Sequence, residues 1–177
     1  MRKVSVVGGP GSGKSTMAAE LAGRLGVPHV ELDGLFHQPG WQPAAADDFQ
    51  ASVADAIAGD GWVIDGNYSA VQETIWQHAD TVIWYDLPRR QVMRQVIWRT
   101  LRRMAYRVEL WNGNRERWSN LFSRDPENSI IVWAWQKHPY YRRRYRAAMV
   151  DPRWSRLRFV RVTSHTQARR LLHDLDR

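Results

Sequence analysis

Near its amino end the chain reads Gly8-Gly9-Pro10-Gly11-Ser12-Gly13-Lys14-Ser15-Thr16. Its first eight residues match the pattern G-x-x-x-x-G-K-[ST] in full. The valine-rich run Lys3-Val4-Ser5-Val6-Val7, typical of a buried strand, precedes it. A helical pattern with Met17, Leu21 and Leu25 on one face follows as far as Gly26. Glycines let backbone N–H groups approach phosphate oxygens, and a helix N-terminus attracts the same charge. The sequence therefore predicts a phosphate-binding loop at residues 8–16.

Two side chains of this loop have specific predicted tasks. Lys14 is expected to reach the β- and γ-phosphates, and the Ser15 hydroxyl is expected to ligate Mg²⁺. We therefore predict a nucleoside triphosphate, ATP with Mg²⁺, as the ligand. The alternative is a glycine-rich turn that carries Lys-Ser by chance.

Length and composition exclude several classes of protein. The 177 residues fit one α/β domain, so we predict a single domain over residues 1–177. The absence of cysteine excludes disulfides, zinc–thiolate sites and cysteine nucleophiles. No apolar run approaches the roughly 18 residues of a membrane span, and the first residues pass into glycines before a signal-peptide core develops. We expect a cytoplasmic protein.

The net charge of +8 is unevenly distributed. Residues 1–88 carry four basic and eleven acidic side chains, a net charge of −7. Residues 89–177 carry 22 basic and seven acidic side chains, a net charge of +15. A basic half suits nucleic acid, an anionic membrane surface or a small polyphosphate. Ten of its arginines lie in residues 89–124. Beside a phosphate-binding loop, these planar guanidinium groups favour an anion clamp over a solvated basic helix.

Strand and helix patterns alternate along the rest of the chain, which indicates a parallel sheet with helices on both faces. Further strands are predicted over 29–32, 62–64, 81–85 and 157–162. Helices are predicted from a cap at Asp47 or Asp48 to Ile57, over 70–78, over 90–106 with Val92, Val96 and Ile97 inward, from Pro126 to a break near Pro139, and after a cap at Thr163 or Ser164. The stretches 34–46 and 107–125 are predicted as loops.

Asp33, Asp65 and Asp86 each follow a predicted strand. Ligands of open α/β sheets bind outside the carboxyl ends of the strands, so these carboxylates are expected to face the phosphate site. Asp33 is a candidate to orient or deprotonate an acceptor hydroxyl, or to hold Mg²⁺ through water; the alternative is a cap. Asp65 is a candidate support for Mg²⁺, or a turn residue with Gly66. Asp86, before Leu87-Pro88, is predicted to be a structural turn or a lid-hinge residue.

Several segments together resemble a known family of kinases. They are Gly8–Thr16, Leu32-Asp33, Pro39-Gly40-Trp41, Trp62-Val63-Ile64-Asp65-Gly66-Asn67-Tyr68-Ser69, Ala79-Asp80-Thr81-Val82-Ile83 and Asp86-Leu87-Pro88. The chain resembles the adenylate-kinase-like group of P-loop nucleoside and nucleotide kinases, and within it the DNA topology modulation proteins. The similarity covers nearly the whole chain and weakens across 105–130.

The resemblance implies a three-layer P-loop fold with a five-stranded parallel sheet of order 2-3-1-4-5. It also implies an acceptor-binding region at 34–70 and an arginine-rich, lid-like insertion at about 99–127. Arg99 falls where the kinase group places a lid arginine near the donor nucleotide, and Arg103 lies one turn further on. Adenylate kinases carry an arginine where this chain has Ser69, which makes a simple AMP kinase doubtful.

Aromatic and polar side chains of the acceptor region are candidate substrate contacts. They are His37, Trp41, Asn67 and Tyr68, together with Asp33 and Asp65; Trp111 is a further candidate. A ring can stack on a base, but most of the ten tryptophans are expected in the core. We assign Trp62, Trp84, Trp133 and Trp135 to the core.

Two functions from different classes follow from these patterns. The first is an Mg²⁺-ATP-dependent phosphotransferase that acts on a small, nucleotide-like or other acceptor. The second is a nucleic-acid-associated or regulatory NTPase, because Arg142-Arg143-Arg144 and Arg146 are interleaved with tyrosines. Since no known nucleic-acid-binding motif accompanies that segment, the first function is favoured.

Overall fold

A computed structural model describes residues 1–106, 109–114 and 129–175. The described residues form one parallel sheet of five strands in the order β2-β3-β1-β4-β5. The strands are β1 (Lys3–Gly8), β2 (His29–Glu31), β3 (Trp62–Asp65), β4 (Thr81–Tyr85) and β5 (Arg158–Val162). The predicted α/β fold and the strand order 2-3-1-4-5 are confirmed.

The strands alternate with helices that cover the sheet. The α-helices among the described residues are α1 (Lys14–Leu25), α2 (Leu32–Phe36), α3 (Ala46–Ile57), α4 (Ser69–His78), α5 (Arg89–Ala105), α6 (Ile130–Met149) and α7 (His165–His173). Short 3₁₀ turns occupy Pro39–Trp41, Trp111–Gly113 and Pro152–Trp154. None of these helices combines the length and the apolar composition that crossing a membrane requires.

Two apolar clusters, one on each face of the sheet, form the core. Successive residues of a strand point to opposite faces, so Val6 joins one cluster and Val7 the other. The first cluster packs under α1, α5 and α7, and the second packs under α3 and α4. Trp62 and Trp84 are buried in the second cluster, as predicted.

The second strand ends earlier than predicted. The last residues of β2 and β3 that pair are Glu31 and Asp65. Gly66, the residue after β3, has a φ of 146°. Asp33 therefore lies in the short helix α2 and does not end a strand. The loop predicted over 34–46 begins with most of this helix and also contains the 3₁₀ turn Pro39–Trp41.

Two details of the helical predictions were wrong. Asp47 and Asp48 lie in the first turn of α3, whose N-cap is Ala45, so neither side chain caps the helix. Ile97 on α5 is 40% exposed. The buried face of α5 recurs at every fourth position and excludes Ile97; it consists of Val92, Val96, Thr100 and Met104. The predicted cap at Ser164 is present, since its hydroxyl accepts from the backbone N–H of Gln167.

Helix α6 does not break at Pro139, contrary to the prediction. Proline removes the N–H that would bond the carbonyl of Trp135 four residues earlier. A side chain takes its place, because Nη2 of Arg89 donates to that carbonyl at 2.8 Å. The guanidinium of Arg89 also lies 3.3 Å from the centre of the Trp135 ring. Trp135 is nevertheless 53% exposed, so its assignment to the core was wrong. Trp133 is half-buried.

Candidate functional site

The phosphate-binding loop joins β1 to α1 at the carboxyl edge of the sheet. Gly11 has φ +73°, and a Cβ at this position would lie 2.1 Å from Cγ2 of Val96 on α5. The glycine is therefore required by packing as well as by backbone conformation. The loop turns tightly through a bond from the Ser12 N–H to the Gly9 carbonyl, 3.2 Å long. Lys14 and Ser15 then open α1, where the first N–H groups of a helix point to a bound anion.

Two side chains whose oxygen atoms can ligate a metal ion, Ser15 and Asp65, lie together beside the loop. The Ser15 hydroxyl donates to Oδ1 of Asp65 at 3.1 Å, and Nε2 of His29 lies 3.0 Å from Oδ2 of the same carboxylate. Asp65 is 2% exposed. Mg²⁺ takes one or two protein oxygens and keeps waters and phosphate oxygens as its other ligands. Ser15 and Asp65 fit such an ion, and the described residues contain no larger His, Asp or Glu cluster for a metal.

Asn67 fastens the start of the loop to helix α6. Its Oδ1 accepts from the Gly8 N–H at 3.2 Å and from the Tyr145 hydroxyl at 2.8 Å, while its Nδ2 donates to the Gly8 carbonyl at 2.5 Å. These bonds use most of the capacity of the amide. Asn67 therefore supports the loop, and its predicted contact with a substrate stays a prediction.

Asp33 and Tyr68 form a hydrogen-bonded pair on the acceptor side. The Tyr68 hydroxyl donates to Oδ1 of Asp33 at 2.7 Å and lies 3.4 Å from Nε2 of His37. Burial and the neighbouring Asp33 carboxylate raise the pKa of Tyr68 far above its ordinary value. The phenol consequently stays protonated and keeps donating to Asp33.

Residues 109–114 pack against the acceptor side of the site. The Asn114 amide bonds the N–H of Trp41 and the carbonyl of Gln38, at 2.8 and 3.0 Å. The ring of Trp111 stacks 6.3 Å from that of His37, and its indole N–H donates to Glu31 at 3.0 Å. The described part of the predicted lid-like insertion thus contacts the predicted acceptor region directly. The rest of the insertion, 107–108 and 115–127, lies outside the described residues.

One cleft of about 1950 Å³ brings most of the predicted site residues together. It is lined by Pro10, Gly11, Gly13, Lys14, Ser15, Thr16, Asp33, His37, Trp41, Asn67, Tyr68, Arg99, Arg103 and Trp111. Gly8, Gly9, Ser12 and Asp65 are buried and do not line it. Residues predicted to bind the donor and the acceptor therefore share one cavity with Ser15, one of the two predicted metal ligands.

Sequence reasoning missed one wall of the cleft. It is a face of α6 formed by Trp133, Lys137, Tyr140, Tyr141 and Arg144, which we call the α6 face. Residues separated by three, four and seven positions share one side of a helix, so this spacing was visible in the sequence. It was overlooked because a break was predicted at Pro139. His29 was also missed, because one histidine on a short strand carries no signal of its own.

Asp86 serves a structural purpose, as its buried position indicates. Nε of Arg142 lies 2.7 Å from Oδ1, and Nε of Arg161 donates to Oδ2 at 2.9 Å. The carboxylate is therefore held between helix α6 and strand β5 by two arginines. Of the arginines in the segment 140–146, Arg142 is engaged in this way, whereas Arg143 and Arg146 are exposed.

Solved structures of kinases share this fold. A shikimate kinase from Bacteroides thetaiotaomicron matches with a TM-score of 0.55 and 11% identity over 98% of this chain and 95% of that chain. A gluconokinase from Sinorhizobium meliloti 1021 matches with a TM-score of 0.50 and 18% identity over 99% of this chain and 95% of that chain. A shikimate kinase from Acinetobacter baumannii, in complex with shikimate, matches with a TM-score of 0.55 and 14% identity over 99% of this chain and 90% of that chain.

No family model and no curated protein matches the chain. At these identities the structural neighbours establish the P-loop kinase fold alone. The resemblance to the topology modulation proteins stays a prediction that the neighbours do not test.

Proposed function

We propose that the chain is an Mg²⁺-ATP-dependent phosphotransferase that transfers the γ-phosphate to a hydroxyl group of a small acceptor. The observation that carries the proposal is a single cleft with a complete phosphate-binding loop on one side and the Asp33–Tyr68 pair on the other. A hydrolase of ATP alone needs no second, aromatic-walled compartment.

The donor side supplies charge and alignment. Lys14 and the N–H groups of the loop hold the β- and γ-phosphates, and Arg99 and Arg103 balance charge as the phosphoryl group moves. Ser15 and Asp65 would hold Mg²⁺, which when bound would neutralise phosphate charge and help to align the nucleotide. Phosphoryl transfer depends on positioning and electrostatics, so this set suffices without a covalent intermediate.

The acceptor side supplies a base. With Oδ1 of Asp33 bound to Tyr68, Oδ2 remains to accept the proton of the acceptor hydroxyl. That hydroxyl oxygen forms a bond to the γ-phosphorus while the bond between the γ-phosphorus and the bridging oxygen breaks. The products are a phosphorylated acceptor and ADP. His37, Trp41 and Trp111 line this half of the cleft with aromatic rings against which an acceptor can pack.

The nucleic-acid-associated NTPase is the less supported function. Arg142 is paired with Asp86, and Arg144 donates to Tyr140 and Gln72. Arg144 also lines the cleft, so among the arginines at 142–146 the outer surface offers a phosphate backbone Arg143 and Arg146, and two such charges give weak binding.

Replacement of Lys14 tests the proposal. We expect Lys14→Ala to lower ATP turnover by at least about a hundredfold, because an interaction with transferring charge is lost. Lys3→Ala, at the opposite end of β1, is the matched control and should keep wild-type turnover. Ser15→Ala should lose rate and magnesium dependence together. Full turnover in a folded Lys14→Ala protein contradicts the assignment.

A further inference from the structure

Helix α6 places two cations in the cleft without a carboxylate to balance them. Within the described ranges, neither Lys137 nor Arg144 forms an ion pair, whereas Arg142 of the same helix pairs with buried Asp86. Both side chains are half-buried and line the cleft. A cation that is partly removed from water is costly unless a negative group compensates it.

Neutral groups hold both cations in position. Nζ of Lys137 lies 4.8 Å from the centre of the Trp133 ring and 5.3 Å from that of Tyr140. Nη1 of Arg144 donates to the Tyr140 hydroxyl at 3.2 Å, and Nη2 donates to Oε1 of Gln72. Aromatic faces and amides orient a cation while leaving its charge uncancelled. Such an arrangement is preorganised for an anion that arrives with a ligand.

The contacts of Arg144 indicate that Lys137 and Arg144 lie on the acceptor side of the cleft. Arg144 contacts Gln72 on α4, next to the segment that carries Tyr68. Lys137 is seven residues earlier on the same face, about 10 Å along the helix axis, so the two long side chains can approach one small ligand. The triphosphate has its own cations in Lys14, Arg99 and Arg103.

We propose that Lys137 and Arg144 form an anion subsite for the acceptor, which therefore carries a carboxylate or a phosphate besides its reacting hydroxyl. This inference rests on the proposed function and narrows its substrate class. Position 69 is a serine and provides no cation to the acceptor region. Arg144 from α6 would provide that cation instead.

The test measures anion binding to protein saturated with AMP-PNP and Mg²⁺, by calorimetry at constant ionic strength. One arm titrates inorganic phosphate and the other acetate, which distinguishes the two sources of charge. We expect saturable binding of at least one anion to wild type, weakened about tenfold or more by Lys137→Gln and by Arg144→Gln, since each removes a charge-assisted bond. Arg143→Gln, an exposed neighbour, should bind like wild type, and Lys137→Arg should keep most of the affinity.

The outcomes separate this inference from the proposed function. AMP-PNP affinity is measured first for every protein and also reports that each variant is folded. Wild type that binds AMP-PNP but neither anion overturns the subsite, as does equal anion affinity in wild type, Lys137→Gln and Arg144→Gln. Wild type that does not bind AMP-PNP overturns the proposed function instead. Loss of anion affinity in Arg143→Gln as well would assign the effect to general charge and also overturn the subsite.

Discussion

Tyr68 donates a 2.7 Å hydrogen bond to Oδ1 of Asp33, and this bond joins the entrance of α4 to the short helix α2. Asp33 would otherwise be a carboxylate on a five-residue helix with two free oxygens. The bond fixes one oxygen of a carboxylate that lines the cleft. Tyr68 is therefore a positioning residue for the proposed base.

Tyr68→Phe should lower kcat about tenfold and leave the affinity for ATP unchanged, because one hydrogen bond to a charged group is lost on the acceptor side only. Turnover and nucleotide binding are measured separately. Tyr106→Phe, an exposed tyrosine, is the control. A parallel loss of ATP affinity would show that Tyr68 supports the whole cleft and not Asp33 in particular.

Arg99→Ala and Arg103→Ala should lower turnover more than they weaken ATP binding. Both side chains line the cleft, and groups that act on charge developing during transfer favour the transition state over the ground state. Arg102→Ala tests the specificity of this effect, since Arg102 lies on the same turn but is exposed. Equal losses of affinity and turnover would describe ordinary ground-state binding.

The contact between Arg89 and the Trp135 carbonyl predicts a non-additive pair of substitutions. Arg89→Ala should lower the free energy of unfolding by about 1 kcal/mol, because the carbonyl left by Pro139 loses its donor. Pro139→Ala restores a backbone N–H, so Arg89→Ala should cost less in that background. Urea unfolding of the four proteins measures the difference. Equal costs in both backgrounds would mean that the carbonyl does not depend on Arg89.

Tyr145 predicts a loss of stability at alkaline pH. Burial raises its pKa above the ordinary value near 10, so above pH 10 the unfolded chain releases a proton that the folded chain keeps. The free energy of unfolding then falls as pH rises, by at most about 1.4 kcal/mol per pH unit from this group.

Tyr145→Phe removes this contribution. The variant should be less stable than wild type at pH 8, because the bond to Asn67 is lost, but its stability should decline less steeply between pH 10 and 11. Urea unfolding at several pH values measures both slopes, with exposed Tyr106→Phe as control. Parallel curves for wild type and Tyr145→Phe would contradict the linkage.

Much of the fold was predictable because its signals are local. The loop at 8–16, the alternating strands and the stop at Gly26 depend on neighbouring residues, and the strand order followed from the resemblance. Ile97 and Trp135 were misassigned because apolar character alone does not tell which side of a helix meets the core. Asp33 lies in helix α2 and not at a strand end, because the pairing of β2 with β3 stops at Glu31 and Asp65.

The site was predictable where a motif defines it and not where tertiary contacts do. The loop could be located from its motif, whereas Asp33 was expected at a strand end and the α6 face depends on a helix that continues through Pro139. At that proline the carbonyl of Trp135 is bonded by Arg89, which lies 46 residues before Trp135 in the chain. The link of His29 to Asp65 likewise joins separate strands, so no local pattern could indicate it.

The most direct test of the phosphotransferase is the fate of the γ-phosphate. Wild type is incubated with ATP labelled at the γ-phosphate, Mg²⁺ and a panel of small hydroxyl compounds with and without an anionic group, and the products are separated. We predict label in an organic phosphate ester, dependent on Mg²⁺, and lost in Lys14→Ala. Label released only as inorganic phosphate, unchanged by every compound and increased by DNA, would contradict this function and favour a nucleic-acid-associated NTPase.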